Sequence, residues 1–171
     1  FAFDDRANGY VRGEGAGVLV IKPLRQAVAD GNRIYCTIRA AVINQDGHTS
    51  SMTVPGVETQ AEMLRIAYKQ AGMEPKRVRY MEAHGTGTPL GDPIEVDALK
   101  AVFGRTGDPI HLGSVKTNFG HTETAAGVAG LLKVALCVRN GAIPPHLHLR
   151  ELNPRIVLEG SRLRVNTELA Q

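Results

Sequence analysis

With 171 residues, 43% of them hydrophobic and 22% charged, the chain has the make-up of a folded domain that buries a real core, not of a disordered segment. Its net charge of +3 rests on scattered Lys and Arg with only 5% aromatic residues, which argues against the basic run and stacking surface of a nucleic-acid binder. No stretch approaches the roughly 18 apolar residues of a membrane span and none resembles a secretory leader, so a cytoplasmic protein without membrane contact is expected, and the opening on Phe1 reads as a cut within a larger polypeptide.

The first apolar run, residues 18–24 (VLVIKPL), predicts a short strand. A helical turn through Ala27 and Asp30 leads to Gly31, and residues 34–43 (IYCTIRAAVI) alternate enough to predict a second strand, closed by the turn chemistry of NQDG at 44–47. Past Pro55 the spacing becomes helical: Ala61, Leu64, Ala67, Tyr68 and Ala71 share one side of a helix that Gly72 stops. Residues 78–84 (VRYMEAH) predict a buried strand ending at His84. Asp92 has N-cap chemistry, Pro93 suits a first helical position and Glu95 stands three residues after Asp92, a capping box that predicts a helix to about Phe103. Residues 110–115 (IHLGSV) predict another strand. A long helix is expected from Thr122 to near Gly141; Ala125, Ala126, Gly127, Ala129 and Gly130 leave one flank almost bare, and its Val and Leu residues predict burial nearly all round. The alternation after Pro55 predicts an α/β layered fold with a largely parallel sheet around one core.

Two segments concentrate chemistry: residues 82–95 (EAHGTGTPLGDPIE) and 114–127 (SVKTNFGHTETAAG) each carry a histidine from a strand end into a glycine-rich loop before a helix. Ligands of open α/β sheets bind beyond the carboxyl ends of the strands, which places His84 and His121 on the functional edge. Glycine lets backbone approach a ligand, and the hydroxyls of Thr86 and Thr88 are short hydrogen-bond handles. His121 sits just before a helix N-terminus, whose dipole disfavours the imidazolium and favours a neutral donor. Cys36 and Cys137 lack C-x-x-C spacing and a helix N-terminus, so both read as buried thiols without reactivity. RGEGAG at 12–17 lacks phosphate-loop spacing and reads as a glycine hinge. His111, His146 and His148 have no Cys, Asp or Glu at ligand spacing and read as isolated surface histidines, not a metal site.

Taken in order, FDDRANGYVRGEGAGVLVIKPL, INQDG and the two histidine segments resemble the β-ketoacyl synthase family of thiolase-fold enzymes, and within it the ketosynthase domains of type I polyketide synthases. The resemblance implies a thiolase-like layered α/β fold, α-β-α-β-α in the complete domain, of which this is the C-terminal-side part: residues 1 to about 50 would end the N-terminal half, and about 51–171 would form most of the C-terminal half. It implies an acyltransferase of polyketide or fatty acid biosynthesis that performs a decarboxylative Claisen condensation. In that reaction a cysteine holds the acyl chain as a thioester, and a malonyl-type extender loses carbon dioxide and attacks it. No cofactor is implied to bind directly; substrates arrive on the phosphopantetheine of an acyl carrier protein, and the complete domain pairs as a homodimer. The face bearing Lys69, Lys76, Arg77 and Arg79 reads as solvated, with an acidic carrier protein as a docking partner in the alternative.

Carried over residue by residue, His84 and His121 match the imidazoles that hydrogen-bond the extender thioester oxygen. Lys116 and Glu123 match a lysine and a glutamate expected to pair near His121, with a surface ion pair as the plainer reading. Thr86 and Thr88 match positions that contact the phosphopantetheine arm, and fit equally the loop's own hydrogen bonds. In the family the nucleophile lies in an Ala-Cys-Ser segment N-terminal to FDDRANGY, so the chain alone is expected to be inactive. A non-condensing ketosynthase-like scaffold or gate is the rival reading, against which both histidines count.

Overall fold

A computed structural model describes residues 1–47 and 55–171. The turn expected at Ala27 is helix α1 (Leu24–Ala29), but the runs on either side, 18–24 and 34–43, form no ladder among the described residues, contrary to the strands predicted there. A strand needs a neighbour about 4.8 Å away to take up its backbone groups. Here Val18, Val20, Ile21 and Ile43 stand 73–96% exposed, so their alternation has nothing to pack on. The half-domain boundary expected near residues 50 and 51 lies outside the described residues.

Helix α2 (Val57–Ala71) ends as the spacing predicts, because Gly72 turns left-handed at φ 61° and the next N–H, of Met73, returns to the Tyr68 carbonyl at 3.1 Å. Ala61 is fully buried on its inner face, and the Tyr68 ring meets Phe103 edge-on at 5.4 Å. Strands β1 (Tyr80–Glu82), β2 (Ile110–Gly113) and β3 (Leu163–Val165) form a parallel three-stranded sheet in that order. Between them run α3 (Gly91–Phe103), the single turn α4 (Lys116–Phe119) and α5 (Ala126–Asn140). The core lies where α3 covers the sheet: Val96, Leu99 and Phe103 meet Ile110, Leu112 and Leu163, with Phe3 of the N-terminal segment inserted beside them.

Several expectations are corrected. The strand predicted at 78–84 contracts to the three residues of β1, while β3, too short to show a period, has no counterpart among the predicted elements. Helix α5 begins at Ala126 after a 3-10 turn at Glu123–Ala125, and it is not enclosed: Ala126 and Ala135 are buried, whereas Leu136 and Val138 are half or more exposed. His146 is buried, not on the surface. Its Nδ1 accepts the Ser114 N–H at 3.3 Å and its Nε2 donates to the Ala2 carbonyl at 3.0 Å, and burial lowers its pKa to about 4. His111 pairs through Nδ1 with Asn166 at 2.9 Å, leaving only His148 of the three at the surface. Among the described residues no helix is long and apolar enough to cross a membrane.

Candidate active site

Beyond β1 the chain turns into the loop that carries His84, and the first turn of α3 holds that loop by its carboxylates. Glu95 accepts the His84 N–H at 2.6 Å and the Gly85 N–H at 2.9 Å. Asp92 accepts the Gly87 N–H at 3.1 Å on one oxygen and the Phe3 N–H at 2.8 Å on the other. The spacing that suggests a capping box is therefore used differently: the N-cap position of α3 is Leu90, which makes no side-chain cap, and both carboxylates reach back to loop amides instead of closing on the helix's own. Burial pushes the pKa of both upward, and the N–H donors oppose that shift. Gly85 takes φ 45°, and a Cβ there would lie 2.8 Å from the Ser114 Cβ, so the close approach of the two loops requires glycine. Thr86 is half-buried in this loop, and Thr88 Oγ1 accepts the Gly91 N–H at 3.1 Å.

The second loop leaves β2 at Ser114, whose hydroxyl lies 3.3 Å from the His84 and Gly85 carbonyls. From α4, Lys116 Nζ donates to the His84 carbonyl at 2.7 Å, so the lysine is tied to the first histidine loop. His121 is pinned through its backbone to residues 11–13, at the start of the RGEGAG segment: its N–H donates to the Val11 carbonyl at 2.7 Å and its carbonyl accepts the Gly13 N–H at 3.0 Å. A Cβ on Gly13 would stand 2.1 Å from the Phe119 carbonyl oxygen. The glycine read as a hinge is thus a point of backbone contact. The His121 ring is set by Glu123, which adopts φ 52° and aims its N–H at Nδ1, 3.0 Å away. An Nδ1 that accepts leaves the proton on Nε2.

These supports bring His84 and His121 together, with ring centroids 5.4 Å apart and planes at 88°. Surrounding protein, then Lys116, then His121 lower the pKa of His84 to about 4, so it is neutral at physiological pH. Desolvation also lowers that of Lys116, against the opposing pull of Glu95, Glu82 and Asp92. The expected Lys116–Glu123 pair does not form: the Glu123 carboxylate lies 3.5 Å from the exposed Arg12, while its backbone serves His121. Sequence reasoning misses Tyr10, 5.3 Å from His121 edge-on, and the loop-holding roles of Asp92 and Glu95. Only the last two carry a signal in the sequence, the i, i+3 carboxylates that resemble a cap. Cys36 and Cys137 are half-buried, and burial pushes the Cys137 thiol up, away from the thiolate form.

The model of the β-ketoacyl synthase C-terminal domain matches residues 35–150, and that of the β-ketoacyl synthase N-terminal domain matches residues 1–27. A highly reducing polyketide synthase of Aspergillus terreus is 49% identical over 170 residues, covering 99% of this chain and 6% of that protein. A phenolphthiocerol/phthiocerol polyketide synthase of Mycobacterium tuberculosis is 50% identical over 167 residues, covering 96% of this chain and 9% of that protein. Among solved structures, the ketosynthase from module 6 of the bacillaene synthase of Bacillus subtilis superposes with a TM-score of 0.95 at 46% identity, over 99% of this chain and 31% of that one. The chain thus spans under a tenth of these two synthases and about a third of a ketosynthase chain. It belongs to the β-ketoacyl synthase family, as part of a ketosynthase domain of the polyketide-synthase type with the thiolase-like α/β fold.

Proposed function

We propose that this chain supplies the extender-handling side of a β-ketoacyl synthase active site, in an acyltransferase of polyketide biosynthesis. The observation that carries the reading is the pair of imidazoles 5.4 Å apart, one with its proton on the outer nitrogen and the other held neutral. A malonyl-type extender, borne on the phosphopantetheine of an acyl carrier protein, presents its thioester oxygen to His84 and His121. The bond between its Cα and its carboxylate breaks, carbon dioxide leaves, and the electron pair passes onto the thioester as an enolate. Both rings donate hydrogen bonds to the oxygen where that charge develops. The enolate carbon then bonds to the acyl carbon held on a cysteine, whose sulfur departs as thiolate. That cysteine is assigned to the rest of the N-terminal domain, to which only residues 1–27 correspond here.

Lys116 keeps positive charge beside the His84 loop, where the extender carboxylate is lost. Glu123 acts through its N–H on His121. Thr86 and Thr88 are assigned to the phosphopantetheine arm; the Thr88 oxygen already accepts the Gly91 N–H, which leaves its hydroxyl proton for the arm. In the complete domain, His121→Ala lowers extender decarboxylation and condensation by a hundredfold or more, about the effect of losing one oxyanion donor. Acyl loading onto the nucleophile persists. Intact decarboxylation with lost loading would reverse the assignment.

A further inference from the structure

One buried carboxylate outside the histidine loops joins all the elements that carry them. Glu82 closes β1, two residues before His84, and its side chain is 10% exposed. Its Oε1 accepts the N–H of Val115, the residue before Lys116, at 2.5 Å. Its Oε2 accepts the Tyr80 hydroxyl at 2.5 Å and lies 2.9 Å from Nζ of Lys133, itself 10% exposed and centred in α5. Lys133 Nζ also lies 5.5 Å from the Tyr80 ring centroid.

The site is built for this cluster. A Cβ on Gly130 would come 3.3 Å from the Glu82 Cγ, and one on Gly113 would come 2.8 Å from the Tyr80 hydroxyl. Two glycines on facing elements therefore leave the room that the pair and the phenol occupy. Three donors converge on one carboxylate from β1, from the β2–α4 junction and from α5, the helix that follows His121. A buried, hydrogen-bonded charge has a narrow range of geometries, because any displacement leaves a charge or an N–H unpaired.

We infer that Glu82, locked by Lys133 and Tyr80, is a positioning residue that fixes the separation of the His84 loop from the Lys116–His121 loop. The inference rests on the proposed extender chemistry. It predicts an effect on the enolate-forming step alone, since the cluster is buried behind the loops and touches neither thioester nor carrier.

The test uses the complete ketosynthase, with a malonyl thioester of its carrier protein as substrate and kcat expressed per acylated site. Active-site acylation counts the folded molecules, so a merely structural defect lowers the count and leaves kcat per site unchanged. Lys133→Met is expected to lower kcat for decarboxylation by about tenfold to a hundredfold, as displacement of catalytic groups by about 1 Å does, with KM unchanged. Tyr80→Phe keeps the ion pair and packing, removes one donor, and lowers kcat in the same direction by less; it decides the matter if Lys133→Met does not fold. Wild-type kcat per site in the folded variants, or a raised KM with kcat intact, overturns the inference. His121→Ala is run alongside. If it is inactive while Lys133→Met and Tyr80→Phe are normal, the positioning role alone falls. If it too decarboxylates normally, the underlying reading falls and takes the inference with it.

Discussion

At His121 the proton is placed by a backbone amide. Glu123 holds φ 52°, a left-handed conformation that costs a non-glycine residue about 1 kcal/mol, and that turn is what points its N–H at Nδ1. The sequence marks Glu123 through its carboxylate, yet among the described residues that group pairs only with the exposed Arg12, an ion pair of little weight. Resemblance identifies a position; it does not say which atom acts. Glu123→Gly keeps the N–H and relieves the strain, so urea unfolding should show unchanged or slightly higher stability, and decarboxylation should persist. Glu123→Pro removes the N–H and imposes φ near −65°, so its decarboxylation should fall toward that of His121→Ala. A glycine variant as defective as His121→Ala would return the role to the carboxylate.

The helices that flank β1 and the His84 loop are legible because each combines a strong period with a stop signal: α2 ends at Gly72, and α3 ends at Phe103 as its pattern indicates. What joins them is not legible. Arg162, 3% exposed, precedes a strand of three residues and looks in sequence like an ordinary surface cation. Its guanidinium donates to the Asp108 carbonyl at 2.8 Å and the Lys76 carbonyl at 2.9 Å, with the Pro75, Phe103 and Val78 carbonyls each at 3.4 Å. One side chain thus ties the start of β3 to the approach to β2, the end of α3 and the turn before β1. Contacts so distant in sequence leave no local pattern. Arg162→Met fills much of the volume and abandons those carbonyls, and should lower the stability of the complete domain by about 3 kcal/mol or more. The expected sign is a lower urea midpoint at unchanged slope, and a midpoint within error of wild type would show that the carbonyls find other partners.

Across the whole chain the apolar pattern exceeds what its own layers cover. The runs at 18–24 and 34–43 and the helix α5 are all recognisable as parts of a buried architecture, and all three lie open: Val20 is 94% exposed, Ile43 96% and Leu136 50%. Alongside α5 a cavity of about 890 Å³ is lined by Gly17, Val128, Leu132, Leu136 and Leu169. Alternation in sequence reports that a strand is meant to be paired, without saying by what; this is why residues 18–24 and 34–43 read as strands and yet have no ladder here. Contiguous apolar surface beyond a few hundred Å² drives association in water. A protein of these 171 residues alone is therefore expected to self-associate and to bind a hydrophobic dye. Val20→Lys and Leu136→Lys change exposed positions that the core at Ile110 and Leu112 does not use, so they should reduce association without lowering the melting temperature. A monodisperse monomer with a sharp cooperative melt and no dye binding would show that the open face is compatible with a self-sufficient fold. Equal association with and without the lysines would place its cause in the packing of the core.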